Sequence, residues 1–275
     1  MMLDPFSQRL ITAAHTASAK GGRGPLILMY HGTPPIKNRQ TPIYSVTSDN
    51  FRRQMDLLIN QGWTTKCISD LSHLDSFPDK TVIITFDDGY LNNFEGAFLP
   101  LLERHMKATW FVVTNLIGQK ADWLKAPDSE TVMLDISQLK EMAKAGMEIG
   151  SHTLTHTDLN QLDSDNKQKE IFDSKKHLEY LINLPVKSFA YPYGHYDDDS
   201  LRLIEQAGYD FACTVRPGWF NNEANPFLLR RICINLDDSL STFARKLAFA
   251  DCDVSWKKMG SYGFERIRSK FFGNA

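Results

Sequence analysis

Apolar runs alternate with helix-period stretches along nearly the whole chain. Pro25 to Gly32 (PLILMYHG) is continuously apolar rather than alternating, the pattern of a strand covered on both faces. Ser48 or Thr47 can cap a following helix on which Phe51, Met55, Leu58 and Ile59 share one side. Thr64 to Ile68 predicts a short strand. Thr81 to Phe86 (TVIITF), rich in β-branched residues and stopped by Asp87-Asp88-Gly89, predicts a stronger one. Phe94, Phe98, Leu101 and Leu102 give a helical face that Pro100 should break. Ala108 to Val113 is the next strand, and a helix over Ser137 to Ala145 ends at Gly146.

The same alternation runs on. Met147 to Ile149 is extended, Ile171, Lys175, Leu178 and Ile182 belong to a long helix, and Val186 to Ala190 is extended again. Leu201, Ile204 and Glu205 lie on a helix closed by Gly208, followed by a strand over Phe211 to Val215. Arg231 to Asn235 and Leu240 to Ala250 are the last strand and helix. Seven or eight strand-then-helix units without a repeat predict an α/β fold, a single (β/α) barrel of about seven parallel strands. A doubly wound sheet is the competing layout. The barrel is favoured because His31, Asp87-Asp88, His152 and Tyr193 all follow strands, where parallel barrels carry their chemistry. The expected organisation is an N-terminal extension (1–24), the barrel (25–250) and a C-terminal tail (251–275).

Composition narrows the classes. A chain of 275 residues with 42% apolar content is globular and can bury a large core without disulfides. The net charge of −2 argues against nucleic acid as a partner, which needs a basic face. No apolar run reaches membrane-spanning length, and residues 1–24 lack the apolar stretch of a secretory signal, so a cytoplasmic location is the default expectation. Cys67, Cys213, Cys233 and Cys252 form no C-x-x-C pair, which points to reduced, mostly buried thiols.

Adjacent Asp87 and Asp88 repel each other unless a cation or shared proton relieves them, although Asp-Gly is also ordinary turn chemistry. His152 and His156, four residues apart, would face one side of a helical turn and could share an ion. An Asp as third ligand would complete a two-His, one-carboxylate set with open positions.

Three motifs then carry a resemblance: TFDDGY (Thr85 to Tyr90), SHTLTH (Ser151 to His156) and FAYPYG (Phe189 to Gly194). In order and spacing they resemble those of the polysaccharide deacetylases, carbohydrate esterase family four. LMYHG, FRRQMDLLINQGW and KATWFVV extend the match over roughly Pro25 to Asn235, most like the exopolysaccharide-type subgroup with permuted motif order. The resemblance implies a distorted (β/α) barrel that hydrolyses N-acetyl groups of a glycan with a divalent metal, most simply Zn²⁺. It implies Asp88, His152 and His156 as metal ligands and Asp87 as general base. The Tyr193 backbone N–H would serve the oxyanion, in a turn fixed by Pro192, and His31 would be the general acid.

Two departures stand out. Many members carry an Arg that orients the base where this chain has Ala190, so Asp87 must be held another way, by Arg216, Arg230 or Arg231. The late Leu-x-His that supplies the acid elsewhere is missing, which is why His31 takes that place. His195 is a candidate for substrate contact or a solvated loop histidine, and Trp219 and Trp123 are candidates for sugar stacking or plain packing. A glycosidase would need two separated carboxylates, and a degenerate glycan-binding domain would not need all of Asp87, Asp88, His152 and His156. In the tail, Phe264, Ile267 and Phe271 share a helical face among Lys257, Lys258, Arg266, Arg268 and Lys270. That segment predicts either a terminal packing helix or peripheral contact with a membrane surface.

Overall fold

In the first strand, β1 (Leu26–Tyr30), every residue is buried, because the strand has a core on each side. Leu26, Leu28 and Tyr30 point outward to the helices, while Ile27 points inward. The alternation repeats along β3 (Thr81–Phe86), where Val82, Ile84 and Phe86 face the helices and Ile83 faces the interior. This two-sided burial explains the continuous apolar runs of the sequence.

The protein is described by a computed structural model over residues 4–9, 24–38, 41–73, 80–121, 123–124, 131–220, 225–255 and 258. The remaining strands are β2 (Thr64–Lys66), β4 (Thr109–Val112), β5 (Glu148–Ser151), β6 (Ser188–Ala190), β7 (Phe211–Cys213) and β8 (Ile232–Cys233). Their order is β7-β6-β5-β4-β3-β1-β8, all pairs parallel, with β2 beside β3. One segment draws the two edges together. Leu229 bridges Cys213 of β7, and three residues later β8 pairs Leu28 and Met29 of β1. The predicted barrel is therefore present, distorted, and closed through 229–233.

The α-helices with both ends among the described residues are α1 (Ser48–Asn60), α2 (Leu99–Glu103), α3 (Ile136–Lys144), α4 (Ser164–Gln168), α5 (Ser174–Ile182), α6 (Asp198–Gln206) and α7 (Leu240–Phe249). Thr47 is the cap of α1, its side chain accepting from the Asn50 N–H. Asp4 and Ser7 reach Arg245 and Ser241 of α7. None of the described helices is long and apolar enough to cross a membrane. The predicted tail helix, with Phe264, Ile267 and Phe271, lies outside the described residues.

Two expectations are corrected. Pro100 does not break its helix: a π-helical turn over Phe94–Phe98 precedes it, and Pro100 falls in the first turn of α2, where an N–H is dispensable. The long helix around Ile171 is three pieces, α4 and α5 joined by a second π-helical turn over Lys169–Asp173. Both π turns flank loops at the C-terminal end of the barrel.

The first of them needs Gly96. A Cβ there would overlap the carbonyl oxygen of Thr33, whose N–H donates to Asn92 Oδ1 at 2.8 Å. The neighbouring Asn93 amide donates to the His31 carbonyl at 2.8 Å, so this packing holds the loop after β1. Gly96→Ala should cost about 1–3 kcal/mol in urea unfolding through that backbone clash. Gly208→Ala, left-handed (φ +75°) but with open space around it, should cost only about 1 kcal/mol. Equal losses at the two positions would contradict the packing argument.

Candidate active site

Strand register gathers the candidate residues. Tyr30 pairs Phe86, so His31 and Asp87 follow side by side, and the Asp87 N–H donates to the Tyr30 carbonyl at 2.9 Å. Val112 pairs Ser151, and the His152 N–H donates to the Val112 carbonyl at 2.9 Å. His31, Asp87, Asp88, His152 and the turn Pro192–Gly194 thus share the C-terminal end of the barrel.

Asp88, His152 and His156 converge. Asp88 Oδ1 lies 3.4 Å from His152 Nε2 and 3.2 Å from His156 Nε2, and all three side chains are buried. One ligand atom from each lies within 4.8 Å of the others. His152 Nδ1 is 2.7 Å from the Ala190 carbonyl, which can only accept, so this nitrogen carries the hydrogen. In the neutral ring Nε2 is then a lone pair aimed at a carboxylate oxygen. Two acceptors at that distance repel unless a proton or cation lies between them. Burial lowers the His152 pKa, but the Asp88 hydrogen bond, the Asp87 and Asp88 charges and the Ala190 bond raise it above the ordinary value. For Asp88 the burial penalty is outweighed by hydrogen bonds from His152 and His156, which take it well below the carboxylate range. The buried Tyr90 hydroxyl bonds the same carboxylate. Carboxylate and imidazole donors so arranged fit a divalent cation.

The two histidines are not on a helical turn, as their spacing predicted. The segment after β5 is irregular, with Thr153 (φ 68°) and His156 (φ 63°) left-handed, and Asp88 (φ 72°) and Tyr193 (φ 59°) share that strain. Glu170, in the second π turn, holds the loop. Its carboxylate accepts from the N–H groups of Leu154 (2.9 Å) and Thr155 (3.1 Å) and from the Thr155 hydroxyl (2.7 Å).

Asp87 is gripped by Arg231, one of the three arginines foreseen. The guanidinium donates through both NH groups to both carboxylate oxygens, at 2.6 and 2.8 Å, while its Nε–H donates to the Thr214 carbonyl at 2.9 Å. Arg231 is fully buried and lies over the Phe111 ring at 5.6 Å. Burial would raise the Asp87 pKa, but Arg231 first, then His152 and His31, lower it below the ordinary value. Arg216 instead covers Tyr196, and Arg230 bonds the Pro217 carbonyl.

Around this centre, His156 is flanked by two rings. Trp123 stacks on it at 4.2 Å and Tyr193 meets it edge-on at 4.9 Å, half exposed. Trp123 also packs against the cluster of Tyr90, Val113 and Leu116; Glu170 left no signal in the sequence. Burial lowers the His31 pKa, with Asp88 and Asp87 opposing, and its ring lies 5.0 Å from Tyr44. Pro192 is buried and opens the turn. His195 is a rim residue paired with Asp158 at 2.9 Å. Trp219 packs, partly buried, against the main core.

Known proteins share this architecture. The polysaccharide deacetylase family model matches residues 75–212. The chain is 32% identical over 236 residues to YxkH of Bacillus subtilis (strain 168), whose name places it among polysaccharide deacetylases; the match covers 84% of this chain and 78% of that one. It is 29% identical over 238 residues to a poly-β-1,6-N-acetyl-D-glucosamine N-deacetylase of Staphylococcus epidermidis, covering 81% and 78%. The structure of the Streptococcus pyogenes deacetylase PplD in complex with acetate superimposes with a TM-score of 0.71 at 27% identity, over 81% of this chain and 97% of that one. With a buried Asp-His-His set and a clamped second aspartate at the barrel mouth, this chain belongs to the polysaccharide deacetylase family.

Proposed function

We propose that the protein hydrolyses N-acetyl groups from an amino-sugar polysaccharide, releasing acetate and a free amine, with a divalent cation and Zn²⁺ foremost. The observation that carries this reading is the convergence of Asp88, His152 and His156 beside an Asp87 that Arg231 keeps ionised. The relatives' named substrate makes poly-β-1,6-linked N-acetylglucosamine the first polymer to test.

Asp88, His152 and His156 would hold the ion, and two imidazoles and one carboxylate leave positions open beside them. A bound divalent cation supplies Lewis acidity toward the amide oxygen and toward water. Asp87 takes the attacking water's proton on a carboxylate oxygen, and Arg231 keeps that carboxylate charged and aimed while lowering its basicity. The Tyr193 N–H donates to the amide oxygen as it gains charge, a contribution of about 3 kcal/mol. His31 protonates the leaving nitrogen. Burial makes its imidazolium a strong acid that is scarce at neutral pH, so the rate through His31 falls as pH rises above its lowered pKa. The rim, with Tyr193, Trp123, His195 and Pro192, is where a sugar would lie, and Trp219 is a further candidate for contact.

A glycosidase is disfavoured, because adjacent Asp87 and Asp88 cannot flank a glycosidic bond about 5–10 Å apart. A binding domain without catalysis is disfavoured because Arg231 supplies the base clamp whose loss at Ala190 would have suggested decay. Acetate release from the polymer, with and without chelator, tests the reading. Chelator-insensitive release, or none with the zinc-loaded protein, would overturn it.

Three outcomes separate the roles. Purified protein should carry about one divalent ion per chain, lost from Asp88→Ala and His152→Ala; full retention in the double variant would sink the ligand assignment. Asp87→Asn should keep the metal and lose about 10²–10⁴-fold in turnover, whereas a loss under about tenfold means another group is the base. His31→Ala should bind metal normally and slow amide hydrolysis more than hydrolysis of an activated aryl ester, whose leaving group needs no proton. Equal slowing on both substrates would mean that His31 only orients.

A further inference from the structure

On the side of the barrel where β8 meets the end of α7, two cysteines meet. The backbone N–H of Cys233 donates to Cys252 Sγ at 3.1 Å, which brings the two residues side by side. Both residues are partly exposed and unbridged. Lys246 lies alongside, its ammonium donating to the Cys233 carbonyl at 2.9 Å and to Asp238 at 2.6 Å, with Asp251 the opposing charge on the next residue. A backbone N–H donor on the Cys252 sulfur, with an ammonium nearby, favours its thiolate, and the thiol of the donating residue is placed to resolve whatever the first one forms. The other two cysteines lack these features: Cys67 and Cys213 are buried, and burial pushes both thiols up to about 12.

We propose that Cys233 and Cys252 form a dithiol–disulfide couple that takes low-molecular-weight disulfides as its oxidant, with Cys252 attacking and Cys233 resolving. The Cys252 thiolate attacks one sulfur of the oxidant; that S–S bond breaks, a mixed disulfide forms and one thiolate leaves. Cys233 gives its proton to the departing thiolate and attacks the Cys252 sulfur; the Cys252–oxidant S–S bond breaks as the internal disulfide forms, and the second half of the oxidant leaves as a thiolate that takes up the proton Cys252 lost on ionising. Two protein thiols are oxidised and one disulfide is reduced to two thiols. Cys233, through its side chain and its backbone N–H, lowers the Cys252 thiol to about 7 against the opposing effect of burial, which suits the attacking partner, while the same neighbour raises Cys233. Oxidation would tie the segment after α7 to β8, two residues from the arginine that clamps Asp87.

The test uses the full chain and glutathione disulfide as probe, followed by alkylation and peptide mass mapping. Native protein should yield a cross-linked peptide joining Cys233 and Cys252, while Cys67 and Cys213 become alkylated only after denaturation. Cys233→Ser should accumulate a stable mixed disulfide at Cys252, formed at least about a hundredfold faster than any at Cys67, and Cys252→Ser should leave Cys233 unmodified. Oxidised protein should melt about 5 °C higher than reduced, reversibly with a dithiol reductant. Full alkylation of both cysteines after the treatment, or Cys252 in Cys233→Ser reacting no faster than Cys67, would overturn the couple.

Discussion

The site depends on a buried ion pair inside the barrel. Arg231 and Asp87 are both withdrawn from water, a cost of several kcal/mol per ion that only close, multiple hydrogen bonds offset. Here the bonds are present: two between the charged groups, a third to the Thr214 carbonyl and a fourth to the Thr85 hydroxyl at 3.2 Å. The pair also connects distant parts of the chain, since Asp87 follows β3 while Arg231 lies in the segment that closes the barrel. The same segment that joins β7 to β1 thus holds the carboxylate that precedes Asp88. Closing the fold and clamping Asp87 are one event.

A second constraint sits beside it. The Ala190 carbonyl fixes the His152 ring so that its Nε2 faces Asp88 Oδ1, which His156 Nε2 also approaches. Four left-handed non-glycine residues, at roughly 1–3 kcal/mol each, hold these groups and the adjoining turn in place. Glu170, Tyr90 and Trp123 brace the arrangement from elements far apart in sequence. Ala190 itself has two roles: its small side chain packs inside the barrel with Phe111, and its carbonyl orients the His152 ring.

Much of this was legible in the sequence where one physical cause dominates. Thr81–Phe86 was read to the residue because burial on both faces and the Asp-Asp-Gly stop coincide. The order of strands and the residues that follow them were likewise readable, and they carried the family resemblance. The spacing of His152 and His156 misled, because four residues fit a helical turn as well as a loop with two left-handed residues. The arginine could be narrowed to three but not chosen, since the choice depends on which side chain points into the barrel. Glu170 was invisible: an acidic residue on a polar helix face looks solvated until a π turn presents it to a loop.

Arg231 reaches from across the barrel to grip both oxygens of Asp87, the carboxylate proposed as the base. The most direct test of that grip is the kcat for acetate release by Arg231→Lys, measured alongside metal content and melting temperature. Lysine keeps the charge but cannot grip both carboxylate oxygens. The account predicts a folded protein with its metal retained and kcat lowered by about tenfold or more, as expected for a base that has lost its aim. A metal-loaded Arg231→Lys protein turning over at the wild-type rate would contradict it.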